Sequence, residues 1–283
     1  MISTILTEKI IKEIYKRRDN WSHKGNFGRV LIIGGSNVYT GSPAIVALSA
    51  LRSGCDLTEI IAPKRTADIC ASFSPELITF PVNGSNLKIS DFDDIRKESE
   101  KSDVIAVGNG MGIGEEQKGL INKLAAEINK KMVIDADAIK QIDKYSLDKR
   151  MLLTPNANEF KLLFGEDPSH DIEKRIKQVN DKANEFRTNI LLKGHVDIIS
   201  NGERAFLNKT NSVYMTKGGT GDSLAGICAS LIAQGNDILN AAAAAAFING
   251  YSGRAVGKEE RESFSVMHLI DKISYTINKW KSQ

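Results

Sequence analysis

The sequence predicts an α/β fold: a largely parallel central sheet with helices on both faces. Two observations carry this. Short, unbroken apolar runs such as Arg29–Ile33 and Val104–Val107 alternate with helical stretches along most of the chain. Run after run then stops at a small or polar cluster. Strands buried on both faces read as continuous apolar runs, because neither face meets water.

The elements follow in order. Arg29–Ile33 is a strand that stops at Gly34-Gly35. Pro43 opens a helix over 44–53 that Gly54 ends, the usual placing of proline inside the start and glycine past the end. Residues 57–62 read as a strand stopped by Pro63, and 76–80 as another before Pro81. Val104–Val107 runs into Gly108-Asn-Gly-Met-Gly112. A helix follows over 115–129, then a strand over 132–134 ending on Asp135-Ala-Asp137. Met151–Leu153 ends at Thr154-Pro155, and a helix begins near Asn158. Residues 190–192 end at Lys193-Gly194. Runs over 196–200 and 204–207 flank Asn201-Gly202, a hairpin signal. The last third is helical: 222–234, 238 to about 256, and 264–280. With no linker, repeat or low-complexity stretch, residues 1–283 read as one domain.

Composition narrows the class. The chain has 283 residues, with 38 Lys+Arg against 35 Asp+Glu, 41% hydrophobic and 26% charged. These values exclude a disordered, collagenous or disulfide-scaffold chain. A net charge of +3 points to neither a nucleic acid nor a membrane partner. Cys55, Cys70 and Cys228 have neither metal spacing nor a disulfide framework, which fits a reducing cytoplasm. Glu8, Lys9 and Lys12 break any export signal, and no run reaches the roughly 18 apolar residues of a membrane helix. The sequon at Asn208 is therefore read as chance. The alanine-rich run over 241–248 fits close packing within the domain or at a subunit interface.

In a parallel sheet the strand ends share one edge, and ligands bind in the crevice there. The clusters at 34–36, 108–112, 135–137, 154–158 and 193–197 are expected to converge on it. The sharpest segment is Lys217-Gly-Gly-Thr-Gly-Asp-Ser223. Its glycines let backbone approach a ligand, and the helix after them offers unpaired N–H groups to a phosphate. Asp222, in the first turn, is placed to accept a proton from a hydroxyl that attacks phosphorus; Thr220 or Asp222 as a mere helix cap is the alternative. Gly108 to Gly112 lacks full G-x-G-x-x-G spacing and serves equally as a tight turn. No Walker A motif is present. Asp135 and Asp137 fit either Mg²⁺ held through water or a strand-end Asx turn. His195 could touch a ligand or be incidental in its loop.

Taken together, Gly28-Arg-Val-Leu-Ile-Ile-Gly-Gly-Ser36, Tyr39-Thr-Gly-Ser-Pro43, Asp135-Ala-Asp137, Leu153-Thr-Pro-Asn156 and Gly218-Gly-Thr-Gly-Asp-Ser-Leu-Ala-Gly226 resemble the NAD(P)H-hydrate dehydratase family, with its ribokinase-like fold. The resemblance runs from about Lys24 to about Val256. It implies removal of water from NADH or NADPH hydrated on the nicotinamide ring, driven by ADP or ATP. A terminal phosphate passes to the ring hydroxyl, and its elimination restores the double bond. Asp222 would be the base. The N–H groups of Gly219, Thr220 and Gly221 would form the anion hole. Lys193, Gly194, His195, Val196 and Asp197, with Gly221, would bind the nucleotide. Ser42, Gly110 or Gly112, and Asn156 would hold the hydrated cofactor. Mg²⁺ would bridge the nucleotide phosphates, with no protein metal site assigned. The resemblance also implies a homo-oligomer, tetramer or dimer.

Three departures fall on the dinucleotide side: Asn109 within the usual Gly-Pro-Gly, Ser42 where Ala is frequent, and Asn156 where His is frequent. About 27 residues precede Gly28, too few for the N-terminal epimerase domain of many microbial members, so a separate epimerase is the expected partner. A small-molecule kinase of the same fold, for a sugar, hydroxymethylpyrimidine or hydroxyethylthiazole, shares the Gly-Gly-Thr-Gly-Asp segment. A nucleotide sensor without turnover is disfavoured by Asp222, since binding alone needs no carboxylate beside the phosphate.

Overall fold

The computed structural model describes residues 3–281. In chain order the elements are β1 (Ser3–Ile5), α1 (Lys9–Ile14), β2 (Arg29–Ile33), α2 (Ser42–Arg52), β3 (Leu57–Pro63), α3 (Lys64–Phe73), β4 (Ile78–Val82), α4 (Phe92–Ser99), β5 (Val104–Val107) and α5 (Glu115–Glu127). They continue with β6 (Lys131–Ile134), β7 (Met151–Leu153), α6 (Ala157–Phe164), α7 (Ile172–Glu185), β8 (Asn189–Leu192), β9 (Asp197–Ser200), β10 (Ala205–Asn208), α8 (Thr220–Ala233), α9 (Ile238–Glu260) and α10 (Val266–Lys281). The ten described strands join one sheet in the order β1-β10-β9-β8-β7-β6-β5-β2-β3-β4. Among the described strands only β9 runs against the rest.

Successive strand residues point to opposite faces, and both faces are covered. Val30, Ile32, Val104 and Ala106 join α1, α2, α8, α9 and α10 on one side. Leu31, Ile33, Ile105 and Val107 join α4, α5, α6 and α7 on the other. The alanines of α9, Ala241 to Ala246, are buried in the first layer, so the run packs inside the chain. Their small size lets α9 lie close to the sheet and to α8. Gly226 does the same between α8 and α2: a Cβ there would overlap the Val46 carbonyl oxygen.

Several sequence expectations shift. The strand read as 76–80 is β4, which continues through Pro81 to Val82. Among the described strands β4 is a sheet edge bonded only to β3, where a missing N–H is tolerated. β3 ends at Pro63 as read, and the same residue caps α3, which follows at once. The helix read to about 256 reaches Glu260. Sequence periodicity missed β1, α1, α3, α4 and α7. Asn208, in the sequon, is fully buried.

The connectivity creates the crevice. From β2 the chain builds outward through β3 and β4, then reverses to β5 on the other side of β2 and continues through β6, β7 and β8. The carboxyl ends of β2 and β5 therefore flank a topological switch point, where ligands bind in open α/β sheets.

Candidate active site

The strand-end clusters meet at that point. The Gly35 N–H donates to the Asn109 carbonyl at 2.9 Å, joining the β2 and β5 turns. The Asn109 Nδ2 donates to Asp135 Oδ2 at 2.9 Å and to Asp222 Oδ1 at 2.7 Å. Asp135 Oδ1 accepts from Thr154 Oγ1 and from Lys193 Nζ, both at 2.8 Å. Glu159 Oε2 lies 3.9 Å from the same ammonium. The ends of β5, β6, β7 and β8 and the start of α8 thus share one polar network.

The start of α8 is built for an anion. Gly219 takes φ +91°, the left-handed region that favours glycine, and turns the chain into the helix. The first intrahelical bond runs from the Ser223 N–H to the Gly219 carbonyl. The N–H groups of Thr220, Gly221 and Asp222 precede it and have no partner within the helix. The Thr220 hydroxyl is spent on the Met215 and Lys217 carbonyls, so it shapes the loop. A cavity of about 720 Å³ opens over these groups.

Electrostatics separate the charged groups. Burial first, and then Asp135, push Asp222 up to about 6, against donors from Asn109 and Ser42 and the Lys193 charge. A carboxylate so placed is a base that recovers its proton acceptance near neutrality. Burial opposes charge on Lys193, but Asp135 and Glu159 outweigh it and hold the ammonium above its ordinary value. Burial raises Glu159, with Lys193 opposing.

The expected site residues divide. Gly219, Thr220, Gly221, Asp222, Lys193, Gly194, His195, Asp197 and Asn156 line the cavity. Val196 does not line it. Gly221 faces the lysine: a Cβ there would stand 3.2 Å from Lys193 Nζ. Asp197 is buried and takes the Gly194 N–H on one oxygen and the amides of Asn208 and Asn211 on the other. Its carboxylate thus folds the 193–197 loop onto β10. Ser42 and Gly110 sit behind Asp222, outside this cavity. The Ser42 hydroxyl helps hold charge on Asp222, and a Cβ on Gly110 would meet that of Ser42 at 3.2 Å. The Gly112 N–H is used by Asp137 Oδ2 at 2.9 Å. Asn156 caps α6: its side chain accepts from the Glu159 N–H, and Glu159 answers on the Asn156 N–H.

The donor set does not fit a metal held by the protein. Both Asp135 oxygens are engaged, and Asp137 is divided between Gly112 and Lys140. Asp135 thus ties the strand ends together, and Asp137 closes a turn. Among the described residues no group of three His, Cys, Asp or Glu side chains is placed for a metal ion.

Sequence reasoning missed Glu159, Asn211 and Asn249. The Asn156-x-x-Glu159 spacing is a readable capping box. Asn249 is an amide within the apolar stretch of α9, buried, with Nδ2 on the Thr220 carbonyl at 3.3 Å and its Oδ1 unpaired. Asn211 carried no local signal.

Residues 30–275 match the family described as NAD(P)H-hydrate dehydratase. The ADP-dependent (S)-NAD(P)H-hydrate dehydratase of Nitrosopumilus maritimus is 37% identical over 97% of this chain and 96% of its own length. The bifunctional NAD(P)H-hydrate repair enzyme of Pyrobaculum aerophilum is 39% identical over 92% of this chain, which spans 52% of that enzyme. Two solved structures share the fold. A ribokinase-like superfamily protein from Enterococcus faecalis V583 superposes at TM-score 0.87, with 22% identity over 99% of this chain and 97% of its own. The ADP/ATP-dependent NAD(P)H-hydrate dehydratase of Bacillus subtilis, co-crystallized with ATP/Mg²⁺, gives 0.82, with 23% identity and 99% of both chains covered. With the family match covering most of the chain, and a relative of similar length well above 30% identity, this chain belongs to the NAD(P)H-hydrate dehydratase family.

Proposed function

We propose that the chain, acting as one ribokinase-like unit, dehydrates hydrated NADH or NADPH at the expense of ADP or ATP. The carrying observation is Asp222: a carboxylate pushed up to about 6 at the head of α8, beside unpaired backbone N–H groups and over the cavity. ADP is the donor named for the archaeal relative of nearly equal length.

In this reading the terminal phosphate rests on the N–H groups of Gly219, Thr220 and Gly221, with that of Asp222 beside them. The 193–197 loop lines the nucleotide side. The hydrated nicotinamide ring enters from the side of Ser42 and Gly110. Asp222 takes the hydroxyl proton as the oxygen bonds to phosphorus and the bridging P–O bond breaks. The ring C–O bond then breaks with loss of a proton from the neighbouring carbon. The double bond returns, and inorganic phosphate and the shortened nucleotide leave. The helix dipole and the N–H groups stabilise charge on the transferring group. Mg²⁺ would enter on the nucleotide phosphates and offset their charge. A separate epimerase would supply the reactive epimer from its mirror form at the hydrated carbon. We also place the working enzyme as a cytoplasmic homo-oligomer.

The test is recovery of NADH from its hydrate with release of one phosphate per NADH. A stable phosphorylated alcohol in place of free phosphate would return the chain to the kinase reading.

A further inference from the structure

We infer that Asn109 is a positioning residue that sets two carboxylates apart, keeping Asp222 as the free base and Asp135 as the fixed counter-ion of Lys193. The inference rests on the reading of Asp222 as base. Asn109 is 1% exposed, in the turn after β5 at the switch point. Its one amide nitrogen bonds both carboxylates, at 2.9 Å to Asp135 and 2.7 Å to Asp222. Both amide hydrogens are thereby used.

The other end of the amide gives the independent sign. Asn109 Oδ1 is buried with no hydrogen-bond partner. An unpaired buried acceptor is disfavoured, yet flipping the amide would set that oxygen against two carboxylates. The charges therefore dictate the orientation, and stability is given up to keep a donor between them. The backbone does not depend on the side chain: the Asn109 carbonyl is held by the Gly35 N–H, and the residue is not among those with positive φ.

The groups facing Asp222 are Asp135 from the end of β6, Lys193 from the end of β8, Asn109, and the Ser42 hydroxyl from the start of α2. Lys193 is already committed to Asp135, with Glu159 of α6 behind it. Removing the Asn109 amide leaves Asp222 and Asp135 opposed with no donor between them. Asp222 then keeps its proton to higher pH, and the base is lost from the acid side of the profile first.

The experiment is the pH dependence of kcat/KM for wild type, Asn109→Ala and Asn109→Asp. We expect the acid limb of the alanine variant to move up by about one pH unit, tenfold in proton affinity, with the alkaline plateau within a few-fold of wild type. Asn109→Asp, which adds a third carboxylate, should move it further. Asn109→Gln, which keeps both amide hydrogens, should return part of the shift. Asn109→Leu fills the same space without a donor and takes the place of alanine should that variant not fold. Limbs that coincide with wild type in the donor-less variants would overturn the inference. A wild type that restores no NADH sinks the dehydratase reading instead. In that case the carboxyl titration of Asp222, followed by carbon NMR and assigned with Asp222→Asn, decides the inference without activity: an upward shift in Asn109→Ala supports it, and unchanged titration overturns it.

Discussion

Replacing Asp222 by Asn separates catalysis from stability in opposite directions. The new amide keeps an oxygen to accept from Asn109, so the network loses a charge but not that bond. Burial and Asp135 move this carboxyl from 3.8 up to about 6. That corresponds to at most about 3 kcal/mol of disfavoured charge at neutral pH. Asp222 lines an open cavity, and solvent screening leaves roughly 1–2 kcal/mol. The sign follows from linkage. A folded-state pKa above the unfolded value lends stability that is full below about 4 and lost as the pH rises through about 6. Asp222→Asn should therefore melt with wild type near pH 4 and about 2–5 °C above it at pH 7–8. Turnover should fall by ~10² or more, as loss of a general base allows, while ADP binds as well or better. Calorimetric melts at both pH values, titration calorimetry with ADP, and steady-state rates make the comparison. A melting difference independent of pH, or parallel losses of binding and turnover, would refute the reasoning and make Asp222 a structural residue.

Other substitutions probe the frame around it. Lys193→Met leaves Asp135 and Glu159 facing each other without their cation and should destabilise the fold by about 3–5 kcal/mol, read from denaturant unfolding. Gly221→Ala places a methyl group beside the flexible end of Lys193, so the melting point should hold within about 2 °C while nucleotide affinity drops roughly tenfold by titration calorimetry. Gly226→Ala forces α8 off α2 against the Val46 carbonyl and should cost about 1–3 kcal/mol in denaturant unfolding, with ADP affinity little changed.

How much of this was legible depends on the kind of signal. Strands β2, β5 and β7 were read to the residue because two-sided burial leaves no polar interruption. The amphipathic helices were harder. α7 fully buries only Val179, Asn180 and Ala183, with Ile176 half-buried against the core, on a mostly polar helix, and α3 begins directly after Pro63, which reads locally as a stop. β1 is three exposed residues held by pairing with β10, a contact some two hundred positions away. The site was legible where it is local: the Gly218 to Asp222 segment announces an anion cradle. It was not legible where it depends on the network. Nothing near Asp135 says that its carboxylate will take Thr154, Lys193 and Asn109, so a metal role and a turn role read alike. Asn109 looked like a departure in a glycine turn, and its two carboxylate partners come from 26 and 113 positions along the chain.

The central claim is tested most directly by adding purified protein and Mg²⁺ to hydrated NADH with ADP, with ATP and with no nucleotide, while following the absorbance of reduced nicotinamide and the phosphate released. The account predicts recovery that requires a nucleotide, with one phosphate freed per NADH and no phosphorylated intermediate accumulating. Nucleotide-independent recovery, or none with either donor while ADP still binds, would contradict it.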